Sequence, residues 1–545
     1  MQRMCLSLLF IFALLMAACA PAAPGGAGTE STTEEASGDN ILNFGMDAAD
    51  LGTLDPHFAA TTNDRTIVDM VFNALVRYTP GQAPAIEADL AEAVPEPELT
   101  DDGQQVWTFN LRQGVMCHAG PETDAYELTS ADVVYSLTKS ANGDRSAYAS
   151  AYEGWSVEAV DDYTVQITIE QPLSPVLFLP NVADYAGGFI VCSQAVEAMG
   201  DEAFKTHPVG TGPFIFESYF AQDAITLAAN PDYFRGAPLL DGVNARFMPD
   251  LNSRDLGMKA GELHVIAGIS ESAWIQSIQA EEGYEVDIFG PGEVGTIHFN
   301  QSVAPLDDVR VRQAIAYALD REEFKALFAP EATGDAYSPV PGDFMIGGFS
   351  AEEATDAGLD YSYDPEKAQA LMTEAGQEAG FDLEVVSSEK NFYRRFYESM
   401  QAQLSAININ LTVNIVDHSS MHSLIREDAN PIVVYGAFRP NADVYLTRFY
   451  LSDSIVVTGA KPDTNFSHYT GIDDMILEAR FETDADAQTQ MWKDAQAKLL
   501  EEMVAHSILY TQSVYARADN IDYGHEALTS VLNLYPQFTE KTTIQ

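Results

Sequence analysis

The chain has 545 residues, 46% of them hydrophobic, with 28 basic against 82 acidic side chains and a formal net charge of −54 at pH 7. That length exceeds what one hydrophobic core holds and suits two or three structural units. The charge sets aside nucleic acid and anionic lipid as partners, because both repel an acidic protein; the dispersed acids suit solubility or a salty habitat more than one specific partner.

The N-terminus carries the first pattern. Arg3 precedes the apolar run from Leu6 to Met16, and Ala17-Ala18-Cys19 follows. This order of charge, apolar run and small residues predicts an export signal over residues 1–18. As a helix the run is about 16 Å long, well short of a hydrocarbon core of roughly 30 Å, so it is no stable membrane span. Cysteine directly after Ala-Ala resembles the lipobox of bacterial lipoproteins, with Met16 where Leu is usual, and the resemblance implies lipidation of Cys19. The alternative is an ordinary signal peptide with a coincidental cysteine. Residues 19–40 are mostly Ala, Pro, Gly, Ser, Thr and Glu, without an aromatic. They predict a disordered tether with an r.m.s. reach of about 25 Å.

Mixed α and β patterns follow. Ile67, Val68, Val71, Phe72, Leu75 and Val76 recur at helical spacing. Trp107, Phe109 and Leu111 alternate as a strand, as do Val165, Ile167 and Ile169. Thr129 with Asp132 predicts a capping box opening the helix through Val133, Val134 and Leu137. Val311, Ile315, Ala318 and Leu319 mark one helix face, with Arg310, Arg312 and Gln313 on the other. A further amphipathic helix is predicted over roughly 487–505. The Pro-rich stretch Pro80–Pro97, the region near Lys205–Pro208 and the turn before Asn300 are the expected seams between units. Beyond Cys5 and Cys19 the chain keeps Cys117 and Cys192. In an exported protein they form one disulfide or stand as two separate buried thiols.

Catalytic signatures are missing: there is no G-x-S-x-G elbow, no H-E-x-x-H and no P-loop. His418 and His422 have i, i+4 spacing beside Asp417, a pattern open to metal ligation. Asp417, Ser419 and Ser420 read more naturally as residues that open a helix after the strand-like run Leu411–Val416. Gly210-Thr211-Gly212 is no nucleotide loop, because Pro213 removes a backbone N–H that would cradle phosphate. Gly114, after Arg112-Gln113, suits a turn with positive φ, and Gly210 to Pro213 a tight bend re-entering a sheet.

Several runs in order resemble the family 5 extracellular solute-binding proteins, the oligopeptide-, dipeptide- and nickel-binding receptors of ABC importers. They are Leu54-Asp55-Pro56; Trp107-Thr108-Phe109-Asn110-Leu111-Arg112-Gln113-Gly114-Val115; Ala131-Asp132-Val133-Val134; Pro208-Val209-Gly210-Thr211-Gly212-Pro213-Phe214; Asn230-Pro231-Asp232-Tyr233-Phe234-Arg235-Gly236; Pro305-Leu306-Asp307-Asp308-Val309-Arg310-Val311-Arg312-Gln313-Ala314-Ile315; and Tyr363-Asp364-Pro365-Glu366-Lys367-Ala368. The resemblance covers essentially all of residues 42–545 and implies an α/β fold of the type II periplasmic-binding-protein class. Two lobes hinge about a cleft: a first-lobe core from 41–80, 205–298 and 505–545, an extra domain of that lobe over 81–204, and a second lobe over 299–504.

The function so implied is capture of a peptide or peptide-like solute by lobe closure and delivery to an ABC permease, by a monomer anchored through lipid to the outer face of the cell membrane. No cofactor, metal or catalytic residue is implied. An oligosaccharide or other organic solute is the second reading, and a lipid-anchored hydrolase the alternative class. The family's ligand-specifying segment corresponds to 434–446. Peptide binders of the family often place an aspartate there for the α-ammonium; Phe438 stands in that place and Asp443 is the nearest acid. Tyr435 and Phe438 are candidates for stacking on a ring or apolar side chain, Arg439 for a carboxylate or phosphate. Thr61, Thr62 and Asn63 are candidates from the first lobe, Phe344 is a further aromatic candidate, and Asn300 is expected to brace the hinge.

Overall fold

The computed structural model describes residues 40–82, 85–290, 292–525 and 534–545. The export signal, Cys19 and the tether through residue 39 lie outside the described residues.

Two separate sheets organise the chain. The first has seven strands in the order Phe214–Phe220, Ala224–Ala229, Gly242–Phe247, Ile41–Met46, Val265–Ala267, Ser513–Ala518 and Tyr284–Phe289. Ile41–Met46 runs parallel to both its neighbours, and each parallel strand feeds a helix, as parallel pairing requires. The second sheet has four strands in the order Thr333–Asp335, Ala505–Thr511, Val294–Phe299 and Ile432–Ala437. Beside it lies a parallel pair, Phe381–Ser388 with Ile409–Val416. This is the two-lobed α/β architecture expected.

The chain passes between the sheets after Phe289 and again at Gln512. Both changeovers differ from the expected boundaries, which put 294–298 and 505–511 in the first lobe. Val294–Phe299 and Ala505–Thr511 pair with each other inside the second sheet. The turn at Asn300 is the stronger local signal, but it closes the far end of a second-lobe strand. Asn300 is therefore no hinge residue: its Nδ2 donates to Asp428 Oδ1 at 2.9 Å.

The extra domain is an antiparallel sheet in the order Glu98–Leu99, Gln105–Asn110, Thr164–Ile169 and Trp155–Asp161. Its inward face alternates as predicted, with Trp107, Phe109, Val165, Ile167 and Ile169 buried. Trp107 and Trp155 stack on Phe178, with centroids 4.1 and 5.0 Å away. Thr129 and Asp132 form the capping box of the helix Ser130–Ser140. Cys117 and Cys192, both fully buried, are joined as a disulfide. Lys139 on that helix reaches into the first lobe, where its ammonium sits 2.9 and 2.8 Å from the Asp55 carboxylate oxygens and 3.2 Å from His57 Nδ1.

Two glycine motifs have the local reasons expected of them. Gly114 takes φ +74° in its turn. Gly212 N–H donates to Val71 O at 2.8 Å, and a Cβ on Gly210 would come within 2.2 Å of that same oxygen. The segment re-enters the sheet by passing directly under the end of the helix Thr62–Val71. That helix stops at Val71, so the helical spacing read through Leu75 and Val76 runs too far; Leu75 lies in a bend and Val76 opens the strand Val76–Tyr78, both buried. Short apolar runs satisfy either period. Arg312, expected on an exposed face, is 3% exposed, and its guanidinium holds the carbonyls of Met503 at 2.9 Å and Leu306 at 2.7 Å.

Candidate functional site

In open α/β sheets ligands bind in the crevice beyond the carboxyl ends of the strands. In the first sheet those ends are Met46, Phe247, Ala267 and Phe289, the last leading straight into a changeover. In the second sheet Val294–Phe299 runs antiparallel to both neighbours, so its start lies beside Ala437 and Tyr510. The carboxyl edges of both lobes therefore border the two crossings.

On the first lobe, Thr61 caps the helix Thr62–Val71, its hydroxyl accepting from Asp64 N–H at 3.1 Å. Thr62 lends its carbonyl to Thr66 Oγ1 at 2.8 Å, and Asn63 Nδ2 donates to Asp47 O at 3.0 Å. Asn63 thus ties the helix start to the end of Ile41–Met46. On the second lobe, the loop after Ile432–Ala437 carries Phe438 and Arg439 before Asn441 caps the helix Ala442–Tyr450.

Tyr435 is 8% exposed. Its ring packs against Phe466 at 5.3 Å, His422 at 5.6 Å and Phe449 at 5.8 Å, and its hydroxyl accepts from Arg426 at 3.1 Å. It builds the wall more than it lines it. Phe438 is half-buried at the edge. Asp443 is committed to Arg480, whose guanidinium lies 3.0 to 3.2 Å from both carboxylate oxygens. Burial raises the Asp443 carboxyl and Arg480 opposes this. Arg439 is different. Its guanidinium carbon lies 5.1 Å over the Phe449 ring, Nη1 donates to Phe438 O at 2.7 Å, and its buried Nε has no hydrogen-bond partner among the described residues.

Glu293, at the changeover, is a residue the sequence did not single out among 82 acids. It is solvent-accessible at this point of the chain. The surrounding protein raises its carboxyl above the usual value, while His418 and Arg439 pull it back. Phe344 sits edge-on to Tyr510, with ring centroids 4.9 Å apart. It borders a groove of about 540 Å³ that Met345 and Ile346 share with a second hollow. That hollow, of about 290 Å³, is mainly apolar and lies between Tyr78, Val176 and Leu179 of the first-lobe side and Met345, Ile346 and Pro440 of the second. Ser174 Oγ donates to Gln488 Oε1 at 2.6 Å between the same two parts.

His418 and His422 lie at the start of the helix His418–Arg426, capped by Asp417 as the helix-opening reading has it. Their rings are 4.5 Å apart, but His418 Nδ1 faces Ser388 Oγ at 3.0 Å and His422 Nδ1 faces Arg426 at 3.3 Å. Burial, then His418 and Arg426, lower His422 to about 4. Among the described residues no group of three His, Cys, Asp or Glu side chains is placed to hold a metal ion.

Residues 85–455 match the profile of the bacterial extracellular solute-binding proteins, family 5 middle region. The chain belongs to the family 5 extracellular solute-binding proteins. Among family relatives, the dipeptide-binding protein of Escherichia coli K12 is 28% identical over 491 residues, covering 83% of this chain and 86% of that one. Heme-binding protein A of Haemophilus influenzae is 26% identical over 537 residues, covering 91% and 92%. Among solved structures, the binding protein MoaA of A. tumefaciens R10 in complex with mannopinic acid has a TM-score of 0.72 at 36% identity, covering 93% of this chain and 99% of that one. As a family 5 protein the chain is an extracytoplasmic solute-binding protein of the two-lobed type II fold.

Proposed function

We propose that this protein is a lipid-anchored receptor that captures a peptide or peptide-like solute between its lobes and hands it to an ABC permease on closure. The observation that carries the reading is the convergence of both lobes' carboxyl strand edges on the two crossings, beside hollows of a size for a small organic solute. A ligand that binds the closed form better drives closure by that difference in affinity alone. Anchoring at Cys19 would keep the receptor near its permease and raise its effective concentration there. The extents of the first-lobe core, extra domain and second lobe are proposed with changeovers after Phe289 and at Gln512.

A second reading, another organic solute, is favoured by the 36% identity to a protein bound to mannopinic acid, above that to the peptide-binding relatives named here. Native mass spectrometry of protein purified without denaturation separates the two. A stoichiometric small solute that also raises the melting temperature is expected, and its mass gives its class. Turnover of a peptide or glycan, abolished by one carboxylate substitution, would replace the receptor with the hydrolase alternative.

A further inference from the structure

Asn142 is the only asparagine in the chain that is followed by glycine. It lies in the turn that leaves the helix Ser130–Ser140, and both Asn142 and Gly143 are exposed. Without a Cβ, Gly143 leaves its own nitrogen unshielded and its backbone free to turn, and around the place where a Cβ would stand there is nothing within 4 Å.

The side-chain amide of Asn142 is held by its oxygen alone. Oδ1 accepts from Asp144 N–H at 2.9 Å, which curls the side chain back over the Gly143 peptide as an Asx turn does and draws electron density from Cγ. Nδ2 donates to no described residue, and neither does the Gly143 N–H. The carbon is thus polarised, while the nitrogen that would attack it and the nitrogen that would leave it are both unengaged. Buried asparagines elsewhere are tied through Nδ2: Asn73 to Asp89, Asn230 to Gly212 O and Asn430 to Val386 O.

We propose that Asn142 is a self-modification site: it deamidates through Gly143, and the product loosens the join between the extra domain and the first lobe. Gly143 N gives its proton to hydroxide and bonds to Asn142 Cγ; the Cγ–Nδ2 bond breaks, and ammonia leaves with a proton from water. Water then opens the resulting cyclic imide. Cleavage of the new N–Cγ bond leaves an aspartate at position 142. Cleavage of the original peptide bond leaves an isoaspartate, whose backbone runs through Cγ and is longer by one methylene.

The longer backbone falls between two residues that hold the join. Asn142 N–H donates to Lys139 O at 3.1 Å, and Asn142 O accepts from Arg145 N–H at 2.9 Å. Arg145 O in turn accepts from the buried Lys139 Nζ at 3.2 Å, and the Arg145 guanidinium holds both Asp201 carboxylate oxygens at 2.7 Å. In an isoaspartate the old Asn142 carbonyl carbon becomes a free carboxylate outside the backbone, so the turn that presents Arg145 to Lys139 loses its register.

The test ages the purified protein at mildly alkaline pH and then digests it with trypsin, which cuts after Lys139 and Arg145 and isolates the peptide Ser140–Arg145. Isoaspartate, read by an isoaspartate-specific methyltransferase and by mass spectrometry, should collect in that peptide. Gly143→Ala should slow its appearance by about tenfold or more at an unchanged melting temperature, because the added Cβ restricts the backbone and meets no neighbour. Aged protein should unfold at a lower urea concentration than fresh protein, whereas Asn142→Asp, which carries the charge without the longer backbone, should keep the fresh midpoint. The proposal is overturned if Asn142 stays intact while other asparagines react, or if a synthetic Ser140–Arg145 peptide reacts and the folded protein does not. An aged protein with isoaspartate at position 142 that unfolds at the fresh midpoint would overturn it as well.

Discussion

Lys139→Met tests the join between the extra domain and the first lobe. Lys139 and Asp55 are both fully buried, with side chains 0% accessible. The ammonium makes two contacts with the carboxylate, one with His57 Nδ1 and one with Arg145 O at 3.2 Å. Methionine keeps most of the volume and removes every polar contact, leaving Asp55 as an uncompensated buried charge. Breaking one partner of a buried pair costs about 3–5 kcal/mol, whereas replacing both by neutral groups is often close to neutral. Urea denaturation should therefore show a loss of about 3–5 kcal/mol for Lys139→Met and recovery of most of it in Asp55→Asn/Lys139→Met.

The deficit should also depend on pH in a defined direction. Burial raises the Asp55 carboxyl and Lys139 opposes this; without Lys139 the folded-state value climbs further above the unfolded one. A raised carboxyl keeps its stability at low pH and loses it as pH rises through the folded value, so the single variant should fall further behind wild type at pH 8 than at pH 5. A loss below about 1 kcal/mol, or a deficit that shrinks with rising pH, would refute this account of the pair.

Four other outcomes follow from the same physics. Cys117→Ser with Cys192→Ser opens a loop of 75 residues and should cost up to about 4.5 kcal/mol in the chain-entropy model, read from denaturant midpoints. Burial raises Asp69 from 3.8 to about 6, with Gln537 opposing and Asp89 assisting, so its contribution to stability is present below pH about 4 and lost as pH rises through about 6. Asp69→Asn should then gain up to about 3 kcal/mol over wild type at pH 7 and nothing at pH 3, and a loss at pH 7 refutes it. Gly436→Ala would press a methyl group against the Glu293 carboxylate and the Phe392 ring and should cost about 1–3 kcal/mol of stability, read from denaturant midpoints. Tyr435→Ala should cost about 3 kcal/mol of stability because the ring is core; Phe438→Ala, at the edge, should leave the melting temperature within a few degrees, so only the second reports on solute contact.

The scaffold was legible because its motifs are local. The Thr129–Asp132 box caps a helix with residues three apart, Gly114 needs only its own φ, and alternation in 105–110 and 164–169 needs only a strand with one buried face. The site was legible only in part. Phe438 and Arg439 stand on the loop after Ile432–Ala437, as local order requires, but nothing near Asp443 in sequence shows that it is committed: Arg480, which pairs with it, is 37 residues away. The lobe boundaries slipped for a related reason. A strand's sheet is decided by its partners, and Val294–Phe299 and Ala505–Thr511 find each other across more than 200 residues.

The order of charge, apolar run and cysteine at the start, and the order of motifs after it, are properties of neighbouring residues, and the sequence by itself determined the class of protein and its expected address. Which charges are free was decided only by the tertiary structure. Glu293 is one acid among 82 until strand pairing sets it one residue beyond the Val294–Ala437 pair, at the changeover between the sheets. Charge compensation is a through-space property, and the cleft's chemistry is what remains after the fold has paired the rest.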